Sequence, residues 1–319
     1  MSTERALEFA AIVNEMPCNV GLNRLKEVNS LRNPSDKLEA LQALGKDAIR
    51  QLDRIEETCI NEIAYLLQHY SLSTVFRLVT DYRNILKETN GNSPALSFFK
   101  MPSYIYGERR SNYAKQVKQN NRELRPFYNE SEYIQRAVAL LNTKSYINVA
   151  MGLCAVTGRR PSEILLTAEF KKAGDYAVIF SGQLKTKDSE NARDNYYMPT
   201  LIEADTVIDA LNRLRTLRDF SDIKTKPGQT KAQAVNSKTA KSQGECVKRY
   251  FAKFIPEFKR ESGKEEQPKP YNLRQVYVLI AINHFCPSDT DETVFASDIL
   301  GHARDDLATA HSYKVFRYA

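Results

Sequence analysis

Near its C-terminus the chain reads ILGHARDDLATAHSYKVFRYA, residues 299–319. This run sets His302, His311 and Tyr313 close together in a protein with four histidines in all. An imidazole near a phenol is the pairing of a base with a nucleophile. Three further stretches place cations against apolar neighbours. AVTGRRPSEIL carries Arg159 and Arg160, GQLKTK carries Lys185 and Lys187, and YNLRQVYVLIAI carries Arg274. A charge beside buried surface is costly unless it is paired or serves a ligand. Glu163 is available to pair with Arg160, so an ion pair explains any one of these places. Their convergence on a tyrosine fits a DNA phosphodiester better. Two guanidiniums grip the non-bridging oxygens. A lysine hands a proton to the leaving 5′-oxygen, and a phenol attacks the phosphorus and keeps the bond energy as a phosphotyrosine. This chemistry requires no metal and no cofactor. The chain shows no acidic metal-binding cluster, and Asp305 and Asp306 read as the start of a helix.

Such groups need a scaffold to hold them. Residues 3–17 and 36–69 repeat apolar residues at helical spacing, with Leu38, Leu41, Leu44, Ile49, Leu52, Ile55, Cys59, Ile63 and Leu66 on one stripe. SLSTVFRLVTDYRNILKET reads as another helix, ending at NGNSP. Residues 107–125, GERRSNYAKQVKQNNRELR, are almost devoid of core residues. There Arg109 and Arg110 precede Lys115, Lys118 and Arg122 on one helical face, as a solvated helix or as a strap on nucleic-acid phosphates. The expected organisation is a helical N-terminal core at 1–106, a basic linker at 107–129 and a second domain at 130–319. In that second domain SYINVAMGLCAVTG is a buried helix ending at Gly158, and RPSEILLTAEF continues as a short helix. YAVIFSGQLKTK and NYYMPTL read as strands. SEYIQRAVALLN opens on a Ser131 cap site, and Thr200 and Glu203 read as the capping pair of the helix after the strands. Residues 224–243 read as a mobile loop, followed by helices at GECVKRYFAKFIPEF, YNLRQVYVLIAINHF, VFASDILGH and ATAHSYKVF. The expected fold is mainly α with a small β-sheet.

Composition narrows the class. With 319 residues, 42% of them hydrophobic and 27% charged, the chain is globular. A net charge of +7 hints at a polyanionic partner. Five scattered cysteines read as free thiols of a reducing compartment. No run is long and apolar enough to span a membrane, and the charged start MSTERALEFAAIVNEM is not a secretory signal, so a cytoplasmic protein is expected.

TGRRPSEI, GQLKTK, YNLR, ILGH and the following SY stand in the order of the tyrosine recombinase catalytic domain, which the chain resembles. The resemblance makes Arg160 and Arg274 the two catalytic arginines, His302 the histidine and Tyr313 the nucleophile. Lys185 matches the hairpin lysine, with Lys187 a possible substitute. Tyr271 stands where most members carry a histidine, and eleven residues rather than nine separate His302 from Tyr313. Both departures resemble the telomere resolvases, the hairpin-forming branch, as do RRPSEILLTAEF, FSGQLKTK, KPYNLRQVY and LGHARDDLATAHSY. The resemblance spans about residues 70–318 and implies a helical DNA-binding core joined to an α+β catalytic domain. It implies a homodimer on double-stranded DNA with an inverted-repeat site, acting without metal or ATP near the nucleoid of a bacterial or phage-infected cell. Arg159 and Lys187 join the strap residues as expected DNA contacts, and Tyr271 is expected to bond a phosphate oxygen. An ordinary site-specific recombinase, or a non-catalytic DNA-binding protein on the same fold, are the alternatives. Members of the branch generally continue past the tyrosine with further helices, whereas six residues follow Tyr313 here.

Overall fold

The computed structural model describes residues 2–184, 195–226, 229–260, 263, 265–302 and 307–319. The chain divides into two compact units, Met1–Asn112 with Thr225–Gln229, and Tyr113–Lys224 with Thr230–Ala319.

The N-terminal unit is built from α1 (Ser2–Glu15), α2 (Leu22–Ser30), α3 (Pro34–Gln42), α4 (Lys46–His69), α5 (Leu72–Thr89) and α6 (Ala95–Phe98). On α4, Leu52, Ile55, Cys59, Ile63 and Leu66 form the buried stripe that the spacing predicts. The helix expected over 36–69 is broken, however. Gly45 at φ 85° turns the chain into α4, and α3 buries no residue, leaving Leu38 exposed. Ala6, Phe9, Ala10 and Val13 of α1 close the core with Val79, Tyr82 and Leu86 of α5.

Helix α7 (Ser103–Arg122) crosses the division between the units, so the stretch expected as a linker contains one continuous helix. None of its residues of described burial is buried. It carries five cations against one carboxylate.

The second unit follows as β1 (Arg125–Phe127), α8 (Glu130–Leu141), α9 (Tyr146–Thr157), α10 (Pro161–Leu166), β2 (Glu169–Gly174), β3 (Ala177–Ser181), β4 (Asn195–Pro199) and α11 (Ala204–Leu217). Then come α12 (Lys231–Phe251), β5 (Phe258–Lys259), β6 (Glu265–Glu266), α13 (Pro270–Phe285), α14 (Glu292–Leu300), α15 (Leu307–His311) and β7 (Phe316–Tyr318). Helix α9 is apolar on every side, and Val149 to Thr157 are all buried. It is the axis on which α8, α10, α11, α12 and α13 pack. Strands β2, β3 and β4 form an antiparallel sheet that pairs Phe180 with Tyr196. β1 pairs in parallel with β7, Arg125 opposite Phe316.

The structure corrects several expectations. Residues 231–243 are helical rather than a loop. Thr230 and Gln233 form a reciprocal cap, and the small residues Ala234 and Val235 are buried with Thr239 and Gln243, a stripe too weakly apolar to stand out. The cap of α8 is Asn129, whose side chain accepts from the Glu132 N–H, rather than Ser131. Thr200 does not cap α11 but donates to the Ile202 carbonyl at 2.7 Å. Glu169 and Phe170, expected to end a helix, open β2. The last expected helix stops at His311, and Phe316 at its expected end opens strand β7.

Gly158 ends α9 at φ 64°, and a Cβ there would lie 2.2 Å from the Tyr277 ring. Gly158→Ala therefore meets both backbone strain and a clash. A loss of about 2 kcal/mol or more is expected in urea unfolding, with the slope unchanged.

Candidate active site

Two helix ends build the site. The first is the C-terminus of α9. Its carbonyls have no partners within the helix, and two guanidiniums supply them. Arg274 Nη1 donates to the Gly158 carbonyl at 2.6 Å, and Arg159 Nε donates to the Thr157 carbonyl at 3.4 Å. The second is the C-terminus of α14. There Arg159 Nη2 donates to the Ile299 carbonyl at 2.9 Å, and Arg274 Nη2 to the Leu300 carbonyl at 3.2 Å. Cations at the negative ends of two helices are favourably placed. Gly301, at φ 67°, turns the chain out of α14, and the His302 N–H closes the turn on the Ser297 carbonyl at 3.0 Å. His302 thus follows a rigid turn and is 6% exposed.

Arg160 is the N-cap residue of α10, with Pro161 in the first turn. Glu163 accepts from the Arg160 backbone N–H at 3.0 Å and from its Nη1 at 2.7 Å, which fixes the side chain. Arg274 lies one turn into α13. That turn is locked by Asn272, which accepts from the Lys269 N–H at 2.8 Å and donates to Gln275 at 2.9 Å. Gln275 in turn donates to the Ser312 carbonyl, next to Tyr313. On the other side of Tyr313, the Arg125 N–H donates to the Val315 carbonyl at 2.8 Å, where β7 joins β1.

These elements bring four of the expected residues around Tyr313. The Arg274 guanidinium carbon lies 5.1 Å from the centre of the Tyr313 ring, the His302 ring at 5.5 Å and the Tyr271 ring at 5.3 Å. Arg160 is near enough to act on the phenol electrostatically. Burial alone would push the Tyr313 phenol up, but the guanidiniums of Arg274 and Arg160 bring it below its ordinary value. Burial and the neighbouring Tyr313 push the Tyr271 phenol the other way. Two adjacent phenols are therefore separated in acidity, with Tyr313 the readier to lose its proton. Burial would likewise raise the Glu163 carboxyl, but Arg159, Arg160 and Arg274 hold it below the usual range. Three guanidiniums around one fully buried carboxylate leave an excess of positive charge. The Arg274 Nε is buried and has no hydrogen-bond partner among the described residues. A buried donor left open in a cationic site is suited to an anion.

Other expected residues lie elsewhere. Lys185, Lys187, Asp305 and Asp306 fall outside the described residues. Arg159, expected on DNA, is only 1% exposed and is engaged inside the unit. Arg109, Arg110, Lys115, Lys118 and Arg122 are all exposed on α7, with the Arg109 guanidinium 4.4 Å from the centre of the Phe76 ring. Sequence reading passed over Arg125, Gln183, Tyr196 and Gln275, which hold the site. Tyr196, on a strand two residues before the core residue Met198, carried an alternation signal for an inward face but none for its bonds.

The chain is similar to known proteins. The family model of the telomere resolvase ResT/TelK catalytic domain matches residues 124–318. The protelomerase of Escherichia phage N15 is 33% identical over 192 residues, covering 56% of this chain and 28% of that protein. The protelomerase of Klebsiella oxytoca phage phiKO2 is 31% identical over 179 residues, covering 54% and 26%. The chain thus spans little more than a quarter of the length of these two relatives. The solved structure of protelomerase TelA covalently complexed with substrate DNA superposes with a TM-score of 0.73 at 24% identity, over 95% of this chain and 97% of that one. That likeness concerns the fold.

The separated phenols give a direct test. In an ultraviolet titration of tyrosinate absorbance, one phenol is expected to ionise below the ordinary value near 10. That step should vanish in Tyr313→Phe and move up in Arg274→Lys; an unchanged alkaline curve would contradict the electrostatic account.

Proposed function

The chain belongs to the telomere resolvase family with the ResT/TelK catalytic domain, and from that premise we propose that it cleaves and rejoins DNA through a 3′-phosphotyrosine to make hairpin ends. The observation that carries this reading is the packing of Arg274, His302 and Tyr271 around the Tyr313 ring. Arg160 and Arg274 take the non-bridging oxygens of the scissile phosphate, Arg274 through its open Nε and the remaining hydrogens of its terminal nitrogens. Tyr313 passes its proton to His302 and its oxygen attacks the phosphorus. The bond from phosphorus to the 5′-oxygen breaks, and that oxygen leaves with a proton from Lys185 or Lys187. The guanidiniums meet charge as it grows on the equatorial oxygens, a preorganised field that costs no rearrangement during the reaction. Tyr271 lies beside the nucleophile as a hydrogen-bond donor to the phosphate.

Each freed 5′-hydroxyl then attacks the phosphotyrosine within its own half-site, which restores the phenol and closes the strand on itself. The phosphotyrosine conserves the bond energy, so the cycle consumes no ATP. An inverted-repeat site read by two copies of the chain supplies the two cuts, and the place of action is the nucleoid of a bacterial or phage-infected cell. Among the described residues no helix is long and apolar enough to cross a membrane. The N-terminal unit and α7 add phosphate contacts, which offset the cost of bending and unstacking the duplex. Arg109, Arg110, Lys115, Lys118 and Arg122 are the α7 residues assigned to phosphates.

Incubation with inverted-repeat DNA from the replicon that carries the gene tests the reading. Products of half length on a native gel should run as single strands of full substrate length under denaturing conditions. Tyr313→Phe should bind the DNA and form no covalent adduct. Arg160→Ala and Arg274→Ala should lose about 100-fold or more in cleavage with binding largely kept. An adduct without hairpins would identify an ordinary recombinase, and binding with no adduct would leave a DNA-binding protein.

The α7 assignment has its own measure. Neutralising Lys115, Lys118 and Arg122 together should flatten the log–log salt dependence of DNA binding by about 0.9 for each phosphate that the helix then leaves to its counterions. An unchanged slope would show that this face is merely solvated.

A further inference from the structure

One buried cation beside Glu163 takes no direct part in the proposed bond-making steps. Arg159 directly precedes Arg160 yet is 1% exposed, so it does not reach a phosphate on the surface. Each of its three guanidinium nitrogens donates within the fold. Besides the Thr157 and Ile299 carbonyls, it donates to the Tyr196 hydroxyl. Its guanidinium also lies over the Phe180 ring at 4.8 Å and the Tyr196 ring at 5.4 Å. The Tyr196 hydroxyl passes the bond on, donating to the Leu300 carbonyl at 3.2 Å. Gln183 completes the set with a bond to the Gly301 carbonyl at 2.9 Å. Three successive carbonyls, Ile299, Leu300 and Gly301, are thus held from the side of the sheet. The Tyr196 ring also fills the space where a side chain on Gly301 would stand, 2.2 Å from the Cβ position. The residue that leaves this clamped turn is His302.

We propose that Arg159 is a positioning residue, which through Tyr196 and the last carbonyls of α14 fixes the turn that presents His302 to Tyr313. The inference rests on the reading of Tyr313 as nucleophile and His302 as its base. A buried guanidinium is a costly way to hold a turn, and lysine could not replace it. Only a planar fork spans two helix ends and a phenol at once. The bonds tie the turn after α9, which carries Arg160, to the turn after α14, which carries His302. Arg159 therefore sets the distance between a phosphate ligand and a base through its bonds to Tyr196 and the helix ends, with no direct part in the bonds that form and break at Tyr313.

A double-mutant cycle separates this role from plain structural support. Single-turnover adduct formation on saturating inverted-repeat DNA is measured for the wild type, Arg159→Lys, Tyr196→Phe, His302→Ala and the two doubles with His302→Ala. Each single change should slow the adduct by about 10-fold or more, with DNA affinity within about 2-fold of wild type. In the His302→Ala background, Arg159→Lys and Tyr196→Phe should add less than about 2-fold, because the group they position is gone. Effects that multiply in the doubles would overturn the inference and leave Arg159 a general support of the fold. If Arg159→Lys fails to fold, judged by circular dichroism and thermal melting, Tyr196→Phe removes a single hydroxyl and carries the cycle alone. A wild type that forms no adduct would defeat the reading of Tyr313 itself, and the positioning role with it. A wild-type adduct with multiplicative doubles would defeat only the role of Arg159.

Discussion

The site depends on gathering three guanidiniums, two of them buried, around a single carboxylate. Glu163 is fully buried, and it faces Arg159, Arg160 and Arg274. Desolvated cations are tolerated only where hydrogen bonds replace the water they lose. Here the replacements are main-chain carbonyls at the ends of α9 and α14 and the phenol of Tyr196. The arrangement satisfies the donors without neutralising the charge. A second buried acid would have made a quieter core and a poorer site for a phosphate. The residual positive charge is what makes the Tyr313 phenol more acidic than usual while burial pushes the other way.

The same carbonyls are helix ends that would otherwise lie unsatisfied inside the protein. Arg159 and Arg274 thus each do two things with one set of donors. Each caps a helix, and each fixes its own position relative to the next arginine. This fits the apolar character of α9 from Val149 to Val156, since its side chains pack five helices around it and polar groups meet it only at its ends. It also explains the two glycines. Gly158 and Gly301 both have positive φ, and both have an aromatic ring pressed against the face where a side chain would be. The chain can leave each helix sharply, beside a ring, only at a residue with no Cβ.

Much of this was legible in the order of the residues. Buried helix, Gly158, Arg159 and Arg160 form a pattern in which the turn and the charges coincide, and the apolar run around Arg274 marked it as a cation inside a core. The stripe on α4 was equally plain, because large aliphatic residues recur at strict helical spacing. What could not be read came from partners distant in sequence. Arg159 read as a DNA contact because its true partners, the carbonyl of Ile299 and the hydroxyl of Tyr196, lie 140 and 37 positions away. Helix α12 was hidden by a buried face of alanine, threonine and glutamine, whose packing value comes from their small size and from the bond between Gln243 and Thr239. Strand β7 was hidden for another reason. Its three residues are a strand only because β1 lies beside them, and no local preference announces a parallel pair that closes over such a distance.

That parallel pair has a mechanical side. Tyr313 lies between the end of α15 at His311 and the start of β7 at Phe316, so it is fastened to structure on both flanks. A strand end joined to this tyrosine would be on a very short leash. Two residues of chain reach only about 7 Å even when fully extended. The joined end would be confined to a small volume around the guanidiniums, and its local concentration would be set by that volume rather than by the amount of protein in solution. Resealing would then be an intramolecular step, unaffected by dilution once the cut is made. Peeling β7 from β1 would leave Tyr313 fastened on one flank only, so the hydrogen bonds of a three-residue strand would help to confine a joined end.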